Sequence, residues 1–304
     1  MVPLAGPAAI RDHRAAMNRS TLLLLIALTF FWGINWPIMK VGLSEFSVWT
    51  FRALASVTGA MGLFAIAWAS GASLHVPRGE RFGLVVAALL NITLWNVLIL
   101  FGLDLMASGR ASILAFTMPL WATFIGSFVL GERLTRRHVL GLCLGLAGMA
   151  LLLAGDIRAL GAAPLGALLV VAAAISWAGG TVAVKYYRFT MSPTVLVAWQ
   201  QVIGVIPIVI IALMQERIIG PVTLWPALAV LYNMLVASIF CYWVWFRIVL
   251  RVPIATSTIS TLMIPVLGVM SGALALGEQP GALDFAALTL VAGAIAVVLL
   301  PNRR

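Results

Sequence analysis

Long apolar runs recur along this chain, separated by short clusters of Gly, Pro and charge. They cover residues 20–41, 47–70, 82–104, 109–130, 137–155, 164–186, 193–214, 225–248, 253–276 and 282–300. A helix needs about 20 mostly apolar residues to cross the hydrocarbon core of a bilayer. Open strands are excluded in lipid, where unpaired backbone N–H and C=O groups have no water to bond. The pattern predicts an all-α integral membrane protein with ten transmembrane helices. The separators, such as 71–81, 131–137, 155–164, 215–221 and 277–281, are too short to hold a soluble domain.

Composition supports the same class. The 304 residues are 63% apolar and only 9% charged, with a mean hydropathy of +1.11. A soluble chain is roughly 45–50% apolar and about 25% charged, so a soluble enzyme, a nucleic-acid-binding domain and a disordered chain are all excluded. The net charge of +10 is a topology signal. With the N-terminus inside, 14 of the 19 Lys and Arg fall on cytoplasmic segments, and only Lys40, Arg52, Arg110, Arg158 and Arg217 fall outside. This bias follows the positive-inside rule and predicts that both termini are cytoplasmic. The first apolar run lacks a cleavage site and is long enough to span, so it reads as a retained helix. Cys143 and Cys241 both lie inside apolar runs and read as buried thiols.

The two halves echo each other. Trp32-Gly33 recurs as Trp177-Ala178, Lys40 as Lys185 and Phe101 as Phe246, all at an offset of 145. Pro119 recurs as Pro265, and Gly131-Glu132 as Gly277-Glu278, at 146. Five helices per half invert the second half relative to the first. Such repeats place a substrate site near the midplane and supply two related gates. The expected organisation is a cytoplasmic segment 1–19, a first repeat 20–155, a second inverted repeat 156–300 and a cytoplasmic tail 301–304.

The motifs Phe31-Trp32-Gly33-Ile34-Asn35-Trp36-Pro37, Leu130-Gly131-Glu132-Arg133 and Leu276-Gly277-Glu278 resemble those of EamA-type carriers of the drug/metabolite transporter superfamily. The resemblance covers residues 20–300, and within that superfamily the chain is most similar to bacterial aromatic amino-acid exporters. It implies a multi-pass carrier of the bacterial inner membrane that exports amino acids or related metabolites. The second repeat departs from the pattern, because Gln279 stands where Arg133 follows Glu132.

Polar and aromatic residues within the spans are the candidates for binding. Helical spacing groups Trp32, Asn35 and Trp36 on the first helix. Asn91, Trp95 and Asn96 lie on the third, Trp177 on the sixth, and Trp199 and Gln200 on the seventh. An amide at the bilayer centre is costly without a partner, and an indole offers a flat face with one donor. Together they suit a ligand with polar groups and an apolar or aromatic body; helix packing alone is the rival reading. Arg52 suits a substrate carboxylate, against the rival of snorkelling to outer headgroups. Trp49, Trp68, Trp225, Trp243 and Trp245 fit an interfacial belt. Pro119 and Pro265 fall mid-helix and suit hinges. Glu132 and Glu278 end helices, where an acid is disfavoured, and read as gate clamps with partners.

No acid falls at mid-depth, so facilitated efflux is expected ahead of proton coupling. No GxSxG, HExxH or Cys/His pattern appears, so no enzyme, cofactor or metal is expected. The expected partners are a small-molecule substrate and the lipid bilayer, with no nucleic acid and a monomer sufficient. Export of drugs or other small metabolites is the alternative. A phosphate-bearing substrate is disfavoured by the lack of midplane cations.

Overall fold

A computed structural model of the chain describes residues 19–131, 136–158, 163–215, 221–249 and 263–299. Its helices are α1 (Arg19–Gly42), α2 (Val48–Ala69), α3 (Arg78–Asp104), α4 (Ser108–Val129), α5 (Arg136–Arg158), α6 (Ala163–Tyr187) and α7 (Pro193–Gln215). These are followed by α8, made of Leu224–Tyr232, Asn233–Cys241 and Tyr242–Val249, then α9 (Met263–Leu276) and α10 (Ala282–Leu299). There is no strand among the described residues. Seven of the described helices are long and apolar enough to cross a membrane. The helices coincide with the apolar runs to within four residues at each described end. The first part of the ninth run, 253–262, lies outside the described residues.

The helix ends follow local chemistry. Ser47 precedes α2 in extended backbone and its hydroxyl accepts the Thr50 N–H at 3.2 Å. Ser192, 145 residues on, accepts the Val195 N–H at 3.4 Å in the same way before α7. Both are N-caps that satisfy an otherwise unpaired donor. Gly131 and Gly277 end α4 and α9 at φ of 67° and 66°, a left-handed backbone that favours glycine. The helices also turn large apolar side chains outward, among them Leu23, Met61, Leu213 and Leu274. Such exposure on every side suits lipid as the surrounding solvent.

The main helix pairs form a two-fold pattern. α1 packs on α9 as α6 packs on α4; α3 packs on α6 and α7 as α8 packs on α1 and α2; α2 pairs with α7, and α5 with α10. Exchanging α1–α5 for α6–α10 maps this set onto itself. Glycines permit the close approaches. A side chain at Gly59 of α2 would meet Ser238 of α8, and one at Gly204 of α7 would meet Ile92 of α3. The two glycines are 145 residues apart. α3 and α8 also each contain a π-helical stretch, Leu89–Leu94 and Asn233–Cys241. Such bulges are rare and free backbone carbonyls from the regular ladder.

The helix α4 is interrupted next to Pro119, where a bend is expected. α4 breaks at Phe116–Thr117 into Ser108–Ala115 and Met118–Val129, and Pro119 opens the second segment. There its missing N–H is one of the donors a helix start leaves unpaired anyway. The break is internally bonded, since the Thr117 hydroxyl donates to Leu114 O at 2.7 Å and accepts from Trp121 Nε1 at 3.2 Å. Pro265 is buried in the first described turn of α9, and its carbonyl faces the Ser112 hydroxyl of α4 at 3.4 Å.

Candidate functional site

The inner face of α1 builds the first half of the site. Gly33 and Trp36 turn toward α9, where Leu267 fills the space beside Gly33, and Trp36 lies beside Gly268. The neighbouring stripe carries Trp32, Asn35 and Met39, spaced three and four residues apart on one face. Trp32 packs edge-on against Tyr242 at 6.0 Å and tilted against Trp245 at 5.6 Å, both from α8. Met39 receives a long contact, 3.7 Å, from Arg52 Nη2 of α2. Asn35 sits between these two anchor points, is buried, and its Oδ1 has no partner among the described residues. Arg52 is 8% exposed; its Nε has no partner among the described residues either. The snorkelling reading fails on this burial. The guanidinium lies over the Phe51 ring at 5.9 Å and within electrostatic reach of the Tyr242 phenol.

α3, α6 and α7 build the second half. Trp95 packs against Trp177 at 5.1 Å. Asn91 Nδ2 donates to Gln200 Oε1 at 2.9 Å, with both side chains buried. Asn91 lies in the π-helical stretch of α3, and the bonding around it takes up that irregularity. Ser176 donates to Leu90 O at 2.7 Å and Thr93 to Gly204 O at 2.6 Å. Asn91 also presses against the backbone of Gly180, where any side chain would collide with its amide. Trp32 and Trp95 pack against the same continuous core that contains Trp36 and Met39.

A third group ties helix ends together. The Glu278 carboxylate accepts the N–H groups of Ser108 at 2.6 Å and Gly109 at 3.1 Å, the first residues of α4. Glu278 thus has the partners expected of it, a helix N-terminus that favours negative charge. Arg110 Nε donates to Asp284 Oδ1 at 2.6 Å, and Asp284 also accepts the Gly281 N–H at 2.7 Å. A small cavity of about 110 Å³ beside them is lined in part by Arg110, Glu278 and Asp284. Lys40 closes the group by donating to the Met106 carbonyl. Glu132 lies outside the described residues.

Two further clamps are related by the same two-fold pattern. Thr223 donates its N–H at 2.7 Å and its hydroxyl at 2.6 Å to Glu45, joining the α1–α2 turn to the start of α8. Thr190, 145 residues after Glu45, donates in the same way to Glu80, joining the α6–α7 turn to the start of α3. The donation from Thr223 holds the Glu45 carboxyl below its ordinary value.

The structure thus brings Trp32, Asn35 and Arg52 to one place, and Asn91, Trp95, Trp177 and Gln200 to another. Trp199 stands apart: its Nε1 donates to Leu74 O at 3.0 Å and its ring packs edge-on against Phe64 at 5.2 Å. Asn96 is buried in α3. Trp68 and Trp225 are exposed as a belt requires, but Trp243 and Trp245 pack inward against the α1 and α2 faces. The aromatic run Tyr242-Trp243-Val244-Trp245 hid that role, because its end-of-span position looks interfacial. Cys241 is buried, whereas Cys143 is exposed on α5, correcting the expectation of two buried thiols. Among the described residues no three His, Cys, Asp or Glu come together to hold a metal.

An all-helical fold in which seven of the described helices are long and apolar enough to cross a membrane defines the class, an integral membrane protein. The EamA-like transporter family model matches residues 19–154 and again 164–300, and the chain belongs to that family, within the drug/metabolite transporter superfamily. The probable amino-acid metabolite efflux pump of Escherichia coli is 26% identical over 284 residues, covering 90% of this chain and 93% of its own. The aromatic amino acid exporter YddG of Ancylobacter novellus is 32% identical over 178 residues, 52% of this chain and 61% of its own. A solved structure at 23% identity shares the fold with a TM-score of 0.67, covering 91% of this chain and 97% of the other. The protein is a multi-pass membrane transporter.

Proposed function

We propose that this transporter exports small metabolites across the bacterial inner membrane, with amino acids, including aromatic ones, as its main substrates. It works by alternating access around the interior lined by Trp32, Asn35, Trp95, Asn91, Trp177 and Gln200. In this reading the chain crosses the membrane ten times as two inverted five-helix repeats, with both termini in the cytoplasm. The two-fold set of helix pairs supports the inverted repeat, as does the family model's double match. The observation that carries the substrate reading is the paired indoles, Trp32 against Trp245 and Trp95 against Trp177, beside buried amides. Flat indole faces with amide donors suit a side chain that is apolar or aromatic and a headgroup that is polar. The names of the relatives, an amino-acid efflux pump and an aromatic amino acid exporter, point the same way.

Transport is facilitated, driven by the substrate gradient, a reading supported by Glu45, Glu80, Glu278 and Asp284, which sit at helix ends in bonded clamps. The test is counterflow of a labelled amino-acid panel in proteoliposomes, with and without a pH gradient. Phenylalanine, tyrosine and tryptophan should exchange without the gradient. Strict dependence on it would defeat the facilitated mechanism, and no exchange of any amino acid would defeat the substrate reading.

A further inference from the structure

Arg52 is a buried cation that the fold itself does not require. The register between halves is fixed near it by the paired caps Ser47 and Ser192 and by the paired glycines Gly59 and Gly204. At that offset of 145 the counterpart of Arg52 on α7 is Val197, and the counterpart of Asn35 on α6 is Gly180. Val197 is 2% exposed and packs with Leu63 and Ala198. The same structural position is therefore filled by a small apolar side chain in one half and a guanidinium in the other. Burying a cation without an opposite charge is costly, and a valine would avoid that cost. Among the described residues Arg52 has no carboxylate partner; it has a sulfur, a ring face and a phenol. One turn before Met39 on α1, the buried Asn35 amide oxygen has no partner among the described residues either.

We propose that Arg52 is the anion-binding residue of the transport site, taking the substrate's carboxylate from the first half alone. The planar guanidinium suits a two-point grip on a carboxylate, and Asn35 Oδ1 stands ready to accept a hydrogen bond from an adjacent ammonium or hydroxyl. Trp32, Tyr242 and Trp245 then face the body of the ligand. The chemical class is a small carboxylate with an apolar or aromatic body. This rests on the transporter reading and separates amino acids and related acids from cationic drugs.

The experiment uses the purified full chain in detergent and in proteoliposomes, as wild type, Arg52→Val, Arg52→Lys and Arg52→Gln. The probes are L-phenylalanine, 3-phenylpropionate and L-phenylalaninamide, read by thermal shift and by inhibition of counterflow. Arg52→Val should unfold at a higher temperature than wild type without ligand, because it removes an unpaired buried charge. It should lose affinity for both acids by about tenfold to hundredfold, the loss of a charge-assisted bond. The amide should bind as before, and Arg52→Lys should fall between. The proposal is overturned if Arg52→Val or Arg52→Gln, folded, binds the acids like wild type, or loses acids and amide alike. A drop in the melting temperature of Arg52→Val also counts against it. Binding of 3-phenylpropionate that depends on Arg52, with no amino-acid counterflow, would overturn the amino-acid reading and leave Arg52 standing. Normal phenylalanine counterflow in Arg52→Val would do the reverse, and a wild type that binds none of the three overturns both.

Discussion

The Glu278 carboxylate holds the N–H of Ser108 at 2.6 Å, so the loop after α9 caps the helix α4 on which α9 packs. Gly272 of α9 permits this approach, since a side chain there would meet Glu278 and Ser108. Glu278→Ala removes the acceptor for two buried donors and the charge at a helix N-terminus. It should destabilise the protein by about 1–3 kcal/mol. Glu278→Gln, which keeps one acceptor, should lose about half of that. Thermal unfolding in detergent checks the order wild type, Gln, Ala; an unchanged alanine variant would refute the clamp.

The Arg110–Asp284 pair is asymmetric. Asp284 is 4% exposed and Arg110 is 29% exposed. Removing the more exposed partner leaves a buried carboxylate that keeps the Gly281 N–H as a donor among the described residues, whereas removing the buried one leaves an arginine that water can reach. Arg110→Met should therefore destabilise more than Asp284→Asn, by about 1–2 kcal/mol between the two. Equal melting temperatures for the two variants would contradict this ordering.

Much of the scaffold was legible because its causes are local. Run length set the helices, and the repeated Gly-Glu pairs marked Gly131 and Gly277, where a left-handed backbone ends each helix. The expectation that Glu278 needs a partner also followed from helix polarity alone, although which partner did not. What could not be read depends on the direction of side chains between helices. The π-helical stretches of α3 and α8 leave no local signature, since Asn91 and Asn233 sit in runs that look regular. The inward turn of Tyr242 and Trp245 is set by packing against Trp32 across more than 200 residues of sequence. For Arg52 the sequence permitted both an inward and an outward course, and its burial beside Met39 and the Phe51 ring decides it.

Acidification should weaken one loop clamp selectively. The Thr223 hydroxyl and N–H depress the Glu45 carboxyl pKa, with the hydroxyl first. A depressed carboxyl contributes stability that is fully present above its unfolded value and is lost as pH falls through the folded one. Wild type should therefore melt above Glu45→Ala at neutral pH. The gap should close as pH drops below the ordinary glutamate range. A gap that persists at low pH would show that the clamp does not depend on the charge.

The amide pair in the second half of the site gives the sharpest coupling. Asn91 and Gln200 share one hydrogen bond at 2.9 Å, and Gly180 leaves the room that Asn91 needs. A double-mutant cycle with Asn91→Ala and Gln200→Ala should return a coupling of about 0.5–1.5 kcal/mol, near the range for hydrogen bonds inside membranes. Gly180→Ala displaces the asparagine amide and should reproduce most of the Asn91→Ala loss, and adding it to Asn91→Ala should cost little more. The π-helical stretch of α3 would then have less to hold it, so both variants should also slow counterflow of phenylalanine. Full additivity of Gly180→Ala and Asn91→Ala would mean that the glycine serves helix packing alone and that Asn91 does not depend on it.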